Sequence, residues 1–70
     1  MSIYTHIENA VNYNKEKGFS TNRAHIDWAD HIKQYKNKKD ITAKVMAWCE
    51  TKGYKLVIGS SPKYATVYYQ

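Results

Sequence analysis

The chain has 70 residues, 43% of them hydrophobic and 24% charged, and carries a formal net charge of +5. This length accommodates one domain over residues 1–70 and excludes a two-domain enzyme, because a chain this short buries only about 60% of its unfolded surface and leaves little room for a deep catalytic pocket. The single cysteine excludes an intramolecular disulfide and a cysteine-built zinc site, and no apolar run approaches the roughly 20 residues of a membrane-spanning helix.

Ile3, Ile7, Ala10 and Val11 recur at helical spacing, with Ser2 placed to cap the start and Gly18 to end the turn, which predicts a first helix over about residues 3–16. Phe19, Ser20 and Thr21 follow as a short extended bridge, with a possible strand near Phe19 and a capping hydroxyl from Ser20 or Thr21. Ile26, Ala29 and Ile32, with Trp28 and Tyr35 alongside, then predict a second helix over about 22–35. Its acids Asp27 and Asp30 come early and its lysines Lys33 and Lys36 late, as the helix dipole favours.

Asp40 is the expected N-cap of a third helix that puts Ile41, Val45, Trp48, Cys49 and Lys52 on one face before Gly53 takes a left-handed turn. From Tyr54 the period changes to two. Tyr54, Leu56 and Ile58 alternate with Lys55 and Val57, and Ala65, Val67 and Tyr69 alternate with Tyr64, Thr66 and Tyr68, which predicts a β-hairpin with its tip at Ser60 to Lys63. The expected class is α+β, three helices followed by a C-terminal hairpin.

The charge is unevenly placed. Residues 1–30 carry three basic groups against four acidic ones, whereas residues 31–70 carry eight lysines against Asp40 and Glu50, so the halves stand at −1 and +6. Basic residues gathered on one part of a small domain suit a polyanionic partner, because neutralised phosphates release condensed counterions. A lysine-rich face that serves only solubility is the competing account.

Residues 40–69, DITAKVMAWCETKGYKLVIGSSPKYATVYY, resemble the third helix and wing of bacterial winged helix-turn-helix regulators: a helix of about a dozen residues, a Lys-Gly-aromatic exit, a strand, a polar basic tip and a returning strand. The resemblance covers under half the chain. It implies duplex DNA as partner, with the third helix in the major groove and the wing tip on the neighbouring backbone. On the outward face of that helix, Thr42, Ala43, Lys44, Ala47 and Thr51 include no Arg, Asn or Gln for base edges, so a phosphate-dominated contact with weak sequence preference is expected. The expected contact residues are Lys36, Lys38, Lys39, Thr42, Lys44, Lys55, Lys63 and Tyr64.

Tyr64, Tyr68 and Tyr69 could also stack on bases of a single strand, but the preferred reading gives Tyr69 or Tyr54 to the core. Trp28 and Trp48 are read as core. Asp27 and His31 are read as a surface pair, and the spacing of His6, His25 and His31 is poor for a metal, so no metal and no cofactor is expected. Cys49 lies on the apolar stripe, which suits a small buried thiol rather than a nucleophile; without a serine elbow, phosphate loop or carboxylate pair, no enzymatic activity is expected.

Two functions follow as expectations. The first is a small DNA-binding regulator or accessory factor in replication or recombination. The second is a protein-interaction module using the same fold, an adaptor or a phage-type inhibitor of a host protein. Met1-Ser2-Ile3-Tyr4 lacks the basic and apolar regions of a secretion signal, so a cytoplasmic location is expected, as a monomer or a weak homodimer.

Overall fold

The computed structural model describes residues 2–18, 22–60 and 62–70. Within them the chain forms three helices and one three-stranded antiparallel sheet, an α+β arrangement in the order α1 (Ile3–Lys17), β1 (Arg23–Asp27), α2 (Trp28–Ile32), α3 (Lys38–Thr51), β2 (Lys55–Ile58) and β3 (Tyr64–Tyr68). The sheet order is β1-β3-β2.

α1 begins and ends where its residues direct. The Ser2 hydroxyl accepts from the Thr5 amide at 3.2 Å, and Gly18 closes the helix at φ +68°, a left-handed conformation that a residue with a Cβ adopts at a cost. A further amide of the first turn, that of Ile3, donates to the Tyr35 hydroxyl at 3.4 Å and joins α1 to the segment after α2. Ile3, Ile7 and Val11 are fully buried on one face, and the Asn14 side-chain amide donates to the Arg23 carbonyl at 2.7 Å, which ties the helix to β1.

The expected second helix over 22–35 is corrected. Residues 23–27 are a strand, and only Trp28–Ile32 are helical. The cause is pairing: β1 runs antiparallel to β3 with Arg23 opposite Tyr68, Ala24 opposite Val67, His25 opposite Thr66 and Asp27 opposite Tyr64. Ala24 and Ile26 are buried while Arg23, His25 and Asp27 are exposed, a period of two that a helical reading overlooks. The strand considered near Phe19, and the caps considered at Ser20 and Thr21, lie outside the described residues.

α3 also starts earlier than expected. Asn37, not Asp40, is the N-cap: its side-chain oxygen accepts from the Asp40 amide at 3.0 Å, and the Asp40 carboxylate is left to pair with Lys44. Ile41, Val45 and Cys49 form the buried stripe, and Gly53 at φ +76° turns the chain into β2. A β-carbon at Gly53 would meet nothing within 4 Å, so the glycine is required by its backbone conformation alone.

β2 and β3 pair from Lys55 opposite Tyr68 to Ile58 opposite Ala65. The inner face of the sheet brings Ala24, Ile26, Leu56, Ala65 and Val67 against the buried stripes of α1 and α3, and Trp28, at 2% exposure, fills the corner where β1 passes into α2. Tyr69 is buried as expected. Trp48 is only half-buried, its ring set edge-on to Tyr4 and Tyr54 at centroid separations of 5.2 and 6.2 Å.

Candidate nucleic-acid interface

The connection from β2 to β3 does not float free of the helices. The Lys63 carbonyl accepts from both the Trp28 and Ala29 amides, at 3.1 and 3.2 Å, so one backbone oxygen fastens the start of β3 to the first turn of α2. This places Ile58 and Pro62 beside the N-terminal half of α3. Together with Trp28, Ile32, Lys38, Lys39, Thr42, Ala43 and Met46 they line an open groove of about 440 Å³.

The eight expected contact residues separate into three places. Lys38, Lys39 and Thr42 are in this groove, and Lys63 follows Pro62 at its sheet side. Lys38 folds its ammonium back to the carbonyls of Lys33 and Tyr35, where it caps the end of the α2 region, and the Thr42 hydroxyl donates to the Lys38 carbonyl at 2.7 Å. Lys36 and Lys44 lie on another flank of α3, around a hollow shared with Tyr4, Tyr35 and Asp40. Lys44 is paired with Asp40 at 3.0 Å, and the hydrogen bond to that carboxylate holds its ammonium above the usual lysine range.

Lys55 and Tyr64 belong to a third place, the outer face of the sheet. Lys55 lies opposite Tyr68 at one end of the β2-β3 pair, and Tyr64 opposite Asp27 at the other. Tyr64 is 54% exposed, with the Lys63 ammonium 5.7 Å from its ring centroid. The structure therefore unites Lys38, Lys39 and Thr42 at one groove, turns the Lys63 ammonium toward Tyr64, and leaves Lys36, Lys44 and Lys55 apart from the groove.

Other groups weighed in the sequence also find their places. His31 does not engage the Asp27 carboxylate; its Nδ1–H donates to the Asp27 carbonyl at 2.7 Å, which leaves the carboxylate on the outer sheet face. Its ring lies flat on that of His6, with centroids 3.7 Å apart and 7° between planes, a contact across 25 positions that no local spacing foretells. The His6 Nε2 is buried without a hydrogen-bond partner, and its pKa is lowered first by burial and then by His31, with Asp27 acting in the opposite direction. Cys49 is fully buried, and burial pushes its thiol up to about 11. Among the described residues, no three of His, Cys, Asp and Glu converge as a metal would require, and no helix is long and apolar enough to cross a membrane.

Comparison of this chain with protein-family models, with curated proteins and with solved structures finds no match.

Proposed function

We propose that this protein binds duplex DNA in the manner of a winged helix, with the outward side of α3 at the major groove and the β2-β3 connection on the adjacent backbone, in a regulatory or accessory role in replication or recombination. The observation that carries the reading is the groove itself, which brings the first half of α3 and Ile58 and Pro62 to one surface with Lys39 in its lining and Lys63 next to Pro62 in sequence. The order α-β-α-α-β-β and the sheet order β1-β3-β2 support the same assignment.

The chemistry of this surface favours holding over reading. Lys39 and Lys63 meet phosphates as point charges, and the positive end of the α3 dipole adds to them. The outward positions Ala43, Met46 and Ala47 offer no bidentate partner for a base edge, so discrimination between sequences is weak. With these two lysines as the contacts, log K against log salt has a slope of about −2, and the Lys39→Ala/Lys63→Ala variant loses nearly all of it. Titration of a fluorescent duplex at several salt concentrations reads both values. Absence of binding at about 50 mM salt, or an unchanged slope in the variant, overturns the proposal.

One observation favours a second reading. The floor of the groove is apolar, formed by Trp28, Ile32, Ala43, Met46, Ile58 and Pro62, and Met46 is 40% exposed. Such a floor suits a side chain of a protein partner better than a phosphate. Under this reading a partner stays bound at about 0.5 M salt, where exposed charge contacts fade, and is lost on Met46→Glu.

A further inference from the structure

Among the described residues, three of the five large apolar or aromatic side chains that stand well exposed lie on one surface: Val57, Tyr64 and Tyr68 all project from the outer face of the sheet, at 41%, 54% and 43% exposure. The strand register arranges this face in rows. Arg23, Tyr68 and Lys55 form the first, His25, Thr66 and Val57 the second, and Asp27 with Tyr64 the third. All of these are exposed except the half-buried Thr66, and no described helix covers them.

The charges are placed with respect to the rings. Tyr68 stands between two cations, Arg23 on one neighbouring strand and Lys55 on the other, and Tyr64 carries the Lys63 ammonium over its ring at 5.7 Å. Against these three cations the face sets one carboxylate, that of Asp27. Rings that accept the face of a base, flanked by cations that accept the phosphates on either side of it, are the two components of single-strand recognition. A duplex cannot use the rings, because its base faces are already covered by their neighbours.

Spacing sets how a strand would lie. Tyr64 and Tyr68 are four residues apart on one strand, about 13 Å, several times the 3.4 Å step of stacked bases, so the two rings take non-adjacent bases of a spread strand. The nucleotides between them cross Thr66, His25 and Val57. Thr66 and His25 are within hydrogen-bond reach of each other, at 3.4 Å, and Val57 beside them has no polar group to offer a ribose 2′-hydroxyl.

We infer that the outer face of the sheet is a binding surface for single-stranded DNA, with Tyr64 and Tyr68 as stacking rings and Arg23, Lys55 and Lys63 as phosphate contacts. This surface meets the groove of α3 only at Lys63; its two rings lie apart from the groove, and stacking on them does not depend on duplex binding there.

The test is fluorescence anisotropy of labelled oligothymidylate of about 15 nucleotides at about 50 mM salt, beside an oligouridylate and a duplex of equal length. Tyr64→Ala/Tyr68→Ala weakens binding of the single strand at least roughly tenfold and leaves duplex binding within about twofold, whereas Tyr64→Phe/Tyr68→Phe, which keeps the rings, stays within about twofold of the parent for both. Because the alanine pair also removes strand-favouring residues, a second measurement uses the unaltered chain: iodouracil-substituted oligomer is photocrosslinked and the adducts are mapped, with attachment expected at Tyr64 and Tyr68. The inference is overturned if the alanine variant keeps its single-strand affinity, if the adducts fall on α3, or if oligouridylate binds about tenfold more tightly than oligothymidylate. It is also overturned if no single strand binds at this salt; a dimer abolished by the alanine variant would then give the face to a second copy of the chain. Single-strand binding without duplex binding sustains this inference and removes the duplex proposal; the converse result does the reverse.

Discussion

The thiol of Cys49 offers a direct measure of how firmly α3 is held against the sheet. Burial raises its pKa from the ordinary 9.0 to about 11, so at about pH 8 the reactive thiolate is depleted roughly 100-fold relative to an unfolded chain. Depletion alone would slow a disulfide reagent by that factor. The side chain is also fully buried, so the reagent reaches it only when α3 opens. At about 0.05–0.15 kcal/mol per residue, a 70-residue domain is stable by about 4–10 kcal/mol, and the low end of that range leaves about one molecule in a thousand open.

Labelling of the folded protein is therefore expected to be at least about a thousandfold slower than labelling in denaturant. The pH profile separates the two causes. A thiol labelled in place would react about tenfold faster per pH unit up to its folded pKa of about 11, whereas a thiol labelled only after opening follows its ordinary pKa and levels off near 9.0. Stopped-flow and manual mixing with a chromogenic disulfide across about pH 7–10 read both quantities. Labelling slowed only about 100-fold and still rising above pH 9 would refute the placement of Cys49 in the core.

Two further outcomes test the caps and the histidine pair. Asn37→Ala lowers stability by about 1 kcal/mol in urea unfolding, whereas Asp40→Asn, which keeps the backbone amide of residue 40 and loses an exposed ion pair and an exposed first-turn charge, shifts the midpoint less; the reverse ranking would restore Asp40 as the cap. His6 has a lowered pKa in the folded protein, so the unfolded chain takes up its proton first: the stability tied to its neutral form is complete above the ordinary value of 6.5 and is lost as pH falls through the folded pKa. Urea midpoints followed from neutral to acidic pH show this loss, and His6→Gln flattens it; a profile identical in the variant would show that the stacked rings carry no such linkage.

α1 was legible because every signal for it is local: the stripe of Ile3, Ile7 and Val11, the serine before it and the glycine after it all lie within one run of sequence. β1 was not, because Ala24, Ile26, Trp28, Ala29 and Ile32 satisfy a period of two in their first half and a helical period in their second. What decides between them is β3, about forty positions away, whose Ala65 and Val67 need partners on a second side. The alternation of Arg23, His25 and Asp27 with Ala24 and Ile26 was the available signal. Asn37 and Asp40 are both good capping residues three positions apart, and only the observed start of the helix separates them.

The candidate site was legible in its residue types and not in its geography. Eight lysines in the second half pointed to a polyanion, but which of them fall at the groove, on the flank of α3 or on the outer sheet face is set by the tertiary fold, and Lys52 is taken by Glu8 at 3.3 Å. Lys55 and Lys63 are eight positions apart and were read as one wing; the pairing places Lys55 opposite Tyr68, at the far end of the strands from Lys63. The exposed row of Arg23, Tyr68 and Lys55 needed β1, the strand that local periodicity concealed.

The strand made last among the three is the one the other two require. β1 and β2 touch only through β3, so during synthesis both wait with unpaired backbone groups until residues 64–68 have emerged. A growing chain that has reached Gly59 holds all three helical segments and two thirds of the strands but has no sheet. The sheet exists only once residues 64–68 are in place, because that one strand clasps both residues 23–27 and residues 55–58.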